Sequence, residues 1–121
     1  MLTLAMVALS WGADIHVPVD QPTIVQALDV ALAGDRIVVA AGNFCENVDV
    51  MVPGITIEGA GIGQTVIDGT CAAGLGVVSI QSGMGAITLS GLTIDGAYIY
   101  TDLVINEDTT VVATGVEFRH G

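Results

Sequence analysis

Along most of the chain the apolar positions come in runs of two to four, separated by Gly, Asn, Asp or Thr. The runs are Ile37 to Val39, Val48 to Val50, Ile55 to Ile57, Val66 with Ile67, Val77 to Ile80, Ile87 to Leu89, Leu92 to Ile94, Leu103 to Ile105, Val111 with Val112, and Val116 to Phe118. Runs this short, bounded by turn formers, predict brief buried strands. One segment has a different period. Ile24, Ala27, Leu28, Ala31 and Leu32 recur at helical spacing, and Thr23 with Gln26 three residues on predicts an N-cap and capping box. Gly34 stands where a left-handed C′ residue would end that helix. Ahead of it, Ile15, Val17 and Val19 alternate with polar residues and Pro18, which predicts an edge strand.

The spacing of the runs predicts how they stack. Ile87-Thr88-Leu89-Ser90-Gly91-Leu92-Thr93-Ile94-Asp95 lies on Val111-Val112-Ala113-Thr114-Gly115-Val116-Glu117-Phe118-Arg119 at a constant offset of 24, an internal repeat. Upstream, Ile55 to Gly59 precedes Ile87 to Gly91 by 32, and Thr65 to Gly69 precedes Leu92 to Gly96 by 27. Insertions such as Gly61 to Gln64 and Cys71 to Gly76 absorb the differences. Three strands per repeat predict a coil with three walls, equivalent residues recurring about 4.8 Å apart along each wall. The expected inward ladders are Ile67, Ile94 and Phe118; Val78 and Val104; and Ile57, Leu89 and Ala113. A β-sandwich is the alternative, but no Asn-Gly or Asp-Gly hairpin joins strands of matching length.

The expected fold class is therefore all-β: a right-handed parallel β-helix, or solenoid, with a short N-terminal capping α-helix that covers the first open rung. Residues 14–121 are read as the cap and first coils of one domain, truncated within a repeat at Arg119-His120-Gly121. Residues 1–13 are read as a signal peptide remnant. Leu2 to Leu9 are apolar and Ser10, Gly12 and Ala13 are small, although no basic n-region precedes them and the run is too short to span a bilayer. This places the protein outside the cell or at its surface.

Charge narrows the partners. Thirteen acidic residues face only Arg36 and Arg119, for a formal charge of −11. Such a surface repels phosphate backbones and excludes nucleic acid. Calcium is compatible with it, but no clustered ligand pattern accompanies the charge, and a solvated acidic face explains it as well.

From Ile15 to Gly69 the chain resembles the N-terminal part of the pectin-lyase-like right-handed β-helix superfamily. The residues that carry the likeness are Pro22 to Leu28 and Gly34 to Val39, then Gly42 to Val48, Ile55 to Gly61 and Thr65 to Gly69. The resemblance implies the fold, and it implies a secreted polysaccharide lyase, a pectinesterase or a non-catalytic surface protein. Catalytic groups in this superfamily usually lie on later coils. The pectinesterase pattern of paired Asp with flanking Gln and a downstream Arg has no counterpart here, so no catalytic residue, cofactor-binding residue or metal ligand is assigned. Fold and site are separate claims.

A few residues are candidates for chemistry. Asp68 and Asp95 fall at equivalent positions of neighbouring coils, so their carboxylates would approach closely enough for a cation or an acid and base pair. Each is followed by Gly, and a simple Asp-Gly turn accounts for both; Glu58, before Gly59, is read the same way. Arg119 falls one coil from Asp95, within reach of an ion pair. Cys45 and Cys71 are 26 residues apart in the same turn of adjacent coils, the spacing of a candidate disulfide, with two buried thiols as the alternative.

Other patterns are discounted. His16 and His120 lie at opposite ends of the stack, and Ser79, Ser82 and Ser90 have no neighbouring His to serve as base. Gly59-Ala60-Gly61-Ile62-Gly63-Gln64 precedes a strand rather than a helix, which argues against a nucleotide loop. The Thr56 and Thr88 ladder continues to Val112, which argues against an ice-binding face. The expected partners are thus polysaccharide, another surface, or a second copy meeting the open C-terminal rung.

Overall fold

In the computed structural model, which describes residues 12–69, 78–81, 83–96, 99–101 and 109–119, the chain is a parallel β-solenoid. Its elements are β1 (Asp14–Val17), α1 (Ile24–Val30), β2 (Arg36–Val39), β3 (Gly42–Phe44), β4 (Val48–Val50), β5 (Thr56–Glu58), β6 (Thr65–Asp68), β7 (Val78–Ile80), β8 (Gly85–Asp95), β9 (Ile99–Thr101) and β10 (Thr109–Arg119). Every strand pairing is parallel.

The first wall stacks β1, β2, β5 and the leading halves of β8 and β10. The second stacks β3, β6 and the trailing halves of β8 and β10, and the third stacks β4, β7 and β9. The three repeat offsets are the register itself: Ile57 pairs with Leu89, Val66 with Thr93, and Val111 with Ile87. Two of the expected ladders, Ile57-Leu89-Ala113 and Ile67-Ile94-Phe118, are present. The third differs. Val78 lies beside Ile99 rather than Val104, which falls outside the described residues.

A single apolar core runs up the axis through Ile37, Ile57, Ile67, Val78, Ile87 and Ile94, all inaccessible to solvent. Side chains alternate in and out along each strand, so each rung adds its apolar half to the same column. At about 25 cal/mol per Å² of apolar surface, each buried Ile or Val contributes roughly 1.5–3 kcal/mol.

The corner between the first and second walls is a column of glycines. Gly91 and Gly115 have φ of 63° and 60° inside β8 and β10, so each strand turns the corner without leaving its ladder. Where the sequence pattern predicts two runs, each is one continuous strand of 11 residues. Gly59, at the same corner one rung below Gly91, is packed so tightly that a Cβ would lie 2.4 Å from the carbonyl oxygen of Gly91.

Helix α1 closes the first rung with Ile24, Ala27 and Leu28 buried against β1, β2 and β4. Thr23 is the N-cap, its Oγ1 accepting from the amide of Gln26 at 3.1 Å. The Gln26 side chain accepts from the Thr23 hydroxyl instead of reaching back to its amide. The helix stops at Val30, earlier than expected, because the buried carboxylate of Asp35 draws the chain into a turn by accepting from the amide of Leu32 at 2.8 Å. Gly34, with φ of 85°, belongs to that turn and is not the C′ residue. Leu32 is consequently exposed; at the other end the first strand stops at Val17, and Val19 beyond it is exposed.

Candidate functional site

Positions of the second wall that alternate with its core residues form two adjacent rows. In one, Asn43, Val66, Thr93 and Glu117 are successive rung partners; in the other, Asp68, Asp95 and Arg119 are. The pairing of Asp68 with Asp95 on neighbouring rungs is as the repeat predicts. Their carboxylates are half-buried, each beside the glycine that ends its strand.

The neighbours of these two carboxylates are held in place. Asn43 donates from Nδ2 to Oδ2 of Asp68 at 3.4 Å. The hydroxyl of Thr93 is fully buried, accepting from the amide of Gly63 at 2.9 Å and donating to Oε1 of Glu117 at 3.3 Å. Arg119 turns its Nε to Glu117 Oε1 at 3.1 Å, so the ion pair expected with Asp95 is made along its own strand. Arg119 and Asp95 are still direct rung partners. Among the described residues the Asp95 carboxylate makes no hydrogen bond or ion pair, and it is the open acceptor of the strip.

The first wall carries a charge ladder that sequence reasoning missed. Arg36 donates from Nη2 and Nε to the two carboxylate oxygens of Asp14 at 2.8 and 3.0 Å, and from Nη1 to Glu58 at 3.1 Å. The hydrogen bond from Arg36 and its positive charge hold the Asp14 carboxyl below the ordinary carboxylate value. Glu58 therefore ties rungs together rather than only ending a strand. The signal was available: the offset of 22 between Asp14 and Arg36 matches that between Ile15 and Ile37.

His16 is exposed, while His120 and Ser82 lie outside the described residues. Ser79 is the rung partner of Asp49 and Tyr100 on the third wall, and Ser90 that of Glu58 and Thr114 on the first, so the serines are not brought together. Cys45 is exposed immediately after β3, and Cys71 lies outside the described residues. No group of three or more His, Cys, Asp or Glu converges as a metal site among the described residues. No helix among them is long and apolar enough to cross a membrane.

The register and the continuous apolar column define the class: a parallel β-helix with a helical N-terminal cap. No protein-family profile matches the chain, and no curated protein matches it significantly.

Proposed function

We propose that this chain is the cap and coil region of a secreted, pectin-lyase-like β-helix that contacts polysaccharide without catalysing a reaction on it. The contact is the strip formed by Asn43, Asp68, Asp95, Glu117 and Arg119. The observation that carries the reading is the open Asp95 carboxylate, flanked by polar groups already fixed by their own partners. Carboxylates on two neighbouring rungs suit the hydroxyls of a glycan laid along the stack, and fixed neighbours reduce the entropy lost on binding. The net charge of −11 favours neutral glycans, with acidic ones requiring calcium as a bridge.

The alternative is the N-terminal part of a polysaccharide lyase or pectinesterase-like enzyme with its active site on further coils. Affinity electrophoresis through neutral glucan, polygalacturonate and alginate gels, with and without calcium, tests both. Retardation that weakens in Asp95→Asn, with no new reducing ends, unsaturated sugars or free carboxyl groups, is the expected result. Product formation overturns the non-catalytic reading. Unretarded migration in every gel overturns the contact itself.

A further inference from the structure

The rung register gives Asp95 two charged neighbours, Asp68 on one side and Arg119 on the other. A carboxylate set between a like charge and a guanidinium is expected to draw the cation. Arg119 goes elsewhere. Its Nε lies 3.1 Å from Oε1 of Glu117, two residues back along the same strand, and Asp95 is left without a hydrogen bond or ion pair among the described residues.

The cause lies at Thr93, the rung partner of Glu117. Its buried hydroxyl is fixed by the amide of Gly63, from which it accepts at 2.9 Å. That hydroxyl donates at 3.3 Å to Oε1 of Glu117, the same oxygen that meets Arg119. Glu117 and Arg119 are both half-exposed, where an ion pair alone contributes little. The choice between the two carboxylates then falls to the one already in place. Thr93 sets an oxygen of Glu117 beside the guanidinium in advance, whereas no donor among the described residues fixes the carboxylate of Asp95.

We propose that Glu117 is the positioning residue of the strip: by holding Arg119 along its own strand, it keeps the Asp95 carboxylate open to the hydroxyls of a neutral glycan. This rests on the glycan-contact reading of the same site. Without the Glu117 charge the guanidinium turns to its rung partner, and its N–H groups take the lone pairs of Asp95 that a sugar hydroxyl would use. Glu117 thus decides whether the wall presents an open acceptor or a closed ion pair, although it touches no ligand itself.

Glu117→Gln tests this, because it keeps the side-chain length and an acceptor for Thr93 while removing the charge that holds Arg119. Crystal structures of parent and variant read the guanidinium directly, and migration through neutral glucan gels reads the contact. In the parent the guanidinium lies on Glu117. In Glu117→Gln it moves to within hydrogen-bond distance of the Asp95 carboxylate, and retardation falls to that of Asp95→Asn. Adding Arg119→Met to Glu117→Gln restores retardation toward that of the parent, which a general loosening of the strip would not do. A guanidinium found on Asp95 in the parent, or one that stays off Asp95 in Glu117→Gln, overturns the proposal with or without glycan binding. So does a retarded parent whose Glu117→Gln variant is retarded equally. A parent that migrates unretarded while the guanidinium moves as described supports the role of Glu117 and overturns only the glycan reading.

Discussion

The carboxylate of Glu46 caps the helix that begins at Ile24, its Oε2 accepting from the Ile24 amide at 3.0 Å and its Oε1 from Val25 at 2.9 Å. Two of the four unpaired amides of α1 are thereby satisfied by a residue on the next coil, while Thr23 satisfies a third. The cap thus ties the helix to the solenoid as well as completing its first turn.

Removing it is expected to loosen that end. Glu46→Ala should destabilise the fold by about 1–2 kcal/mol, the range for lost N-caps, and Thr23→Ala by about 1 kcal/mol. The two contribute to one helix terminus, so the double variant should depart from additivity. Urea unfolding of the four proteins measures this. A Glu46→Ala midpoint equal to that of the parent would show that the contact contributes nothing net.

The glycine corner gives a second expectation. At Gly59 an added Cβ would lie 2.4 Å from the Gly91 carbonyl oxygen and 2.9 Å from the Cβ atoms of Leu92 and Thr65. Backbone and β-carbons cannot swing aside, so Gly59→Ala should cost at least the roughly 1–3 kcal/mol of an overpacked core. Gly63, with φ of 77° and open space around it, should cost only the roughly 1–2 kcal/mol of a left-handed alanine. Thermal melts of both variants rank them, and a Gly63→Ala loss larger than that of Gly59→Ala would contradict the packing argument.

These positions also show what could be read from the sequence. The repeat was legible because Gly91 and Gly115 hold the same corner of two coils, and a constant offset there reproduces the register residue for residue. The short strand β3 escaped detection because Gly42, Asn43 and Phe44 include one large apolar residue, and its pairing with β6 comes from the stack rather than from its own pattern. Ile99 rather than Val104 beside Val78 follows from turn length, which periodicity does not encode. Asp68 and Asp95 were found because the repeat carries them. Glu46 was missed because its partners Ile24 and Val25 share no motif with it, whereas the Arg36 ladder follows the same rung offset of 22 that aligns Ile15 with Ile37.

Asp14 supplies a test by pH. The hydrogen bond from Arg36 is the main cause of its lowered value; desolvation opposes it, and the Arg36 charge adds to it. A carboxyl whose folded value is depressed contributes stability above its unfolded value, and that contribution is lost as pH falls through the folded one. An NMR titration should therefore place the Asp14 midpoint below the ordinary 3.8, and Arg36→Met should return it upward. Because the pair is exposed, its effect on the melt should shrink in high salt. A midpoint at or above 3.8 in the parent would show that the ladder does not persist in solution.

The last expectation concerns the cysteines. Cys45 follows β3 on the way to β4, and Cys71 stands between β6 and β7 in the sequence, outside the described residues. Val48 of β4 and Val78 of β7, which follow the two cysteines in the sequence, are rung partners. The repeat predicts equivalent turn positions on neighbouring rungs, about 5 Å apart between Cα atoms and inside the window for a disulfide. A bridge there should form in an oxidising compartment, and by closing a loop of this length in the unfolded chain it should contribute roughly 3–4 kcal/mol. It would also anchor the segment that carries Glu46 to the helix cap. Alkylating the denatured, unreduced protein and weighing it should find no alkyl groups added, and reduction should lower the unfolding midpoint. Two alkyl groups on protein recovered from a secreted fraction would show that the cysteines are thiols.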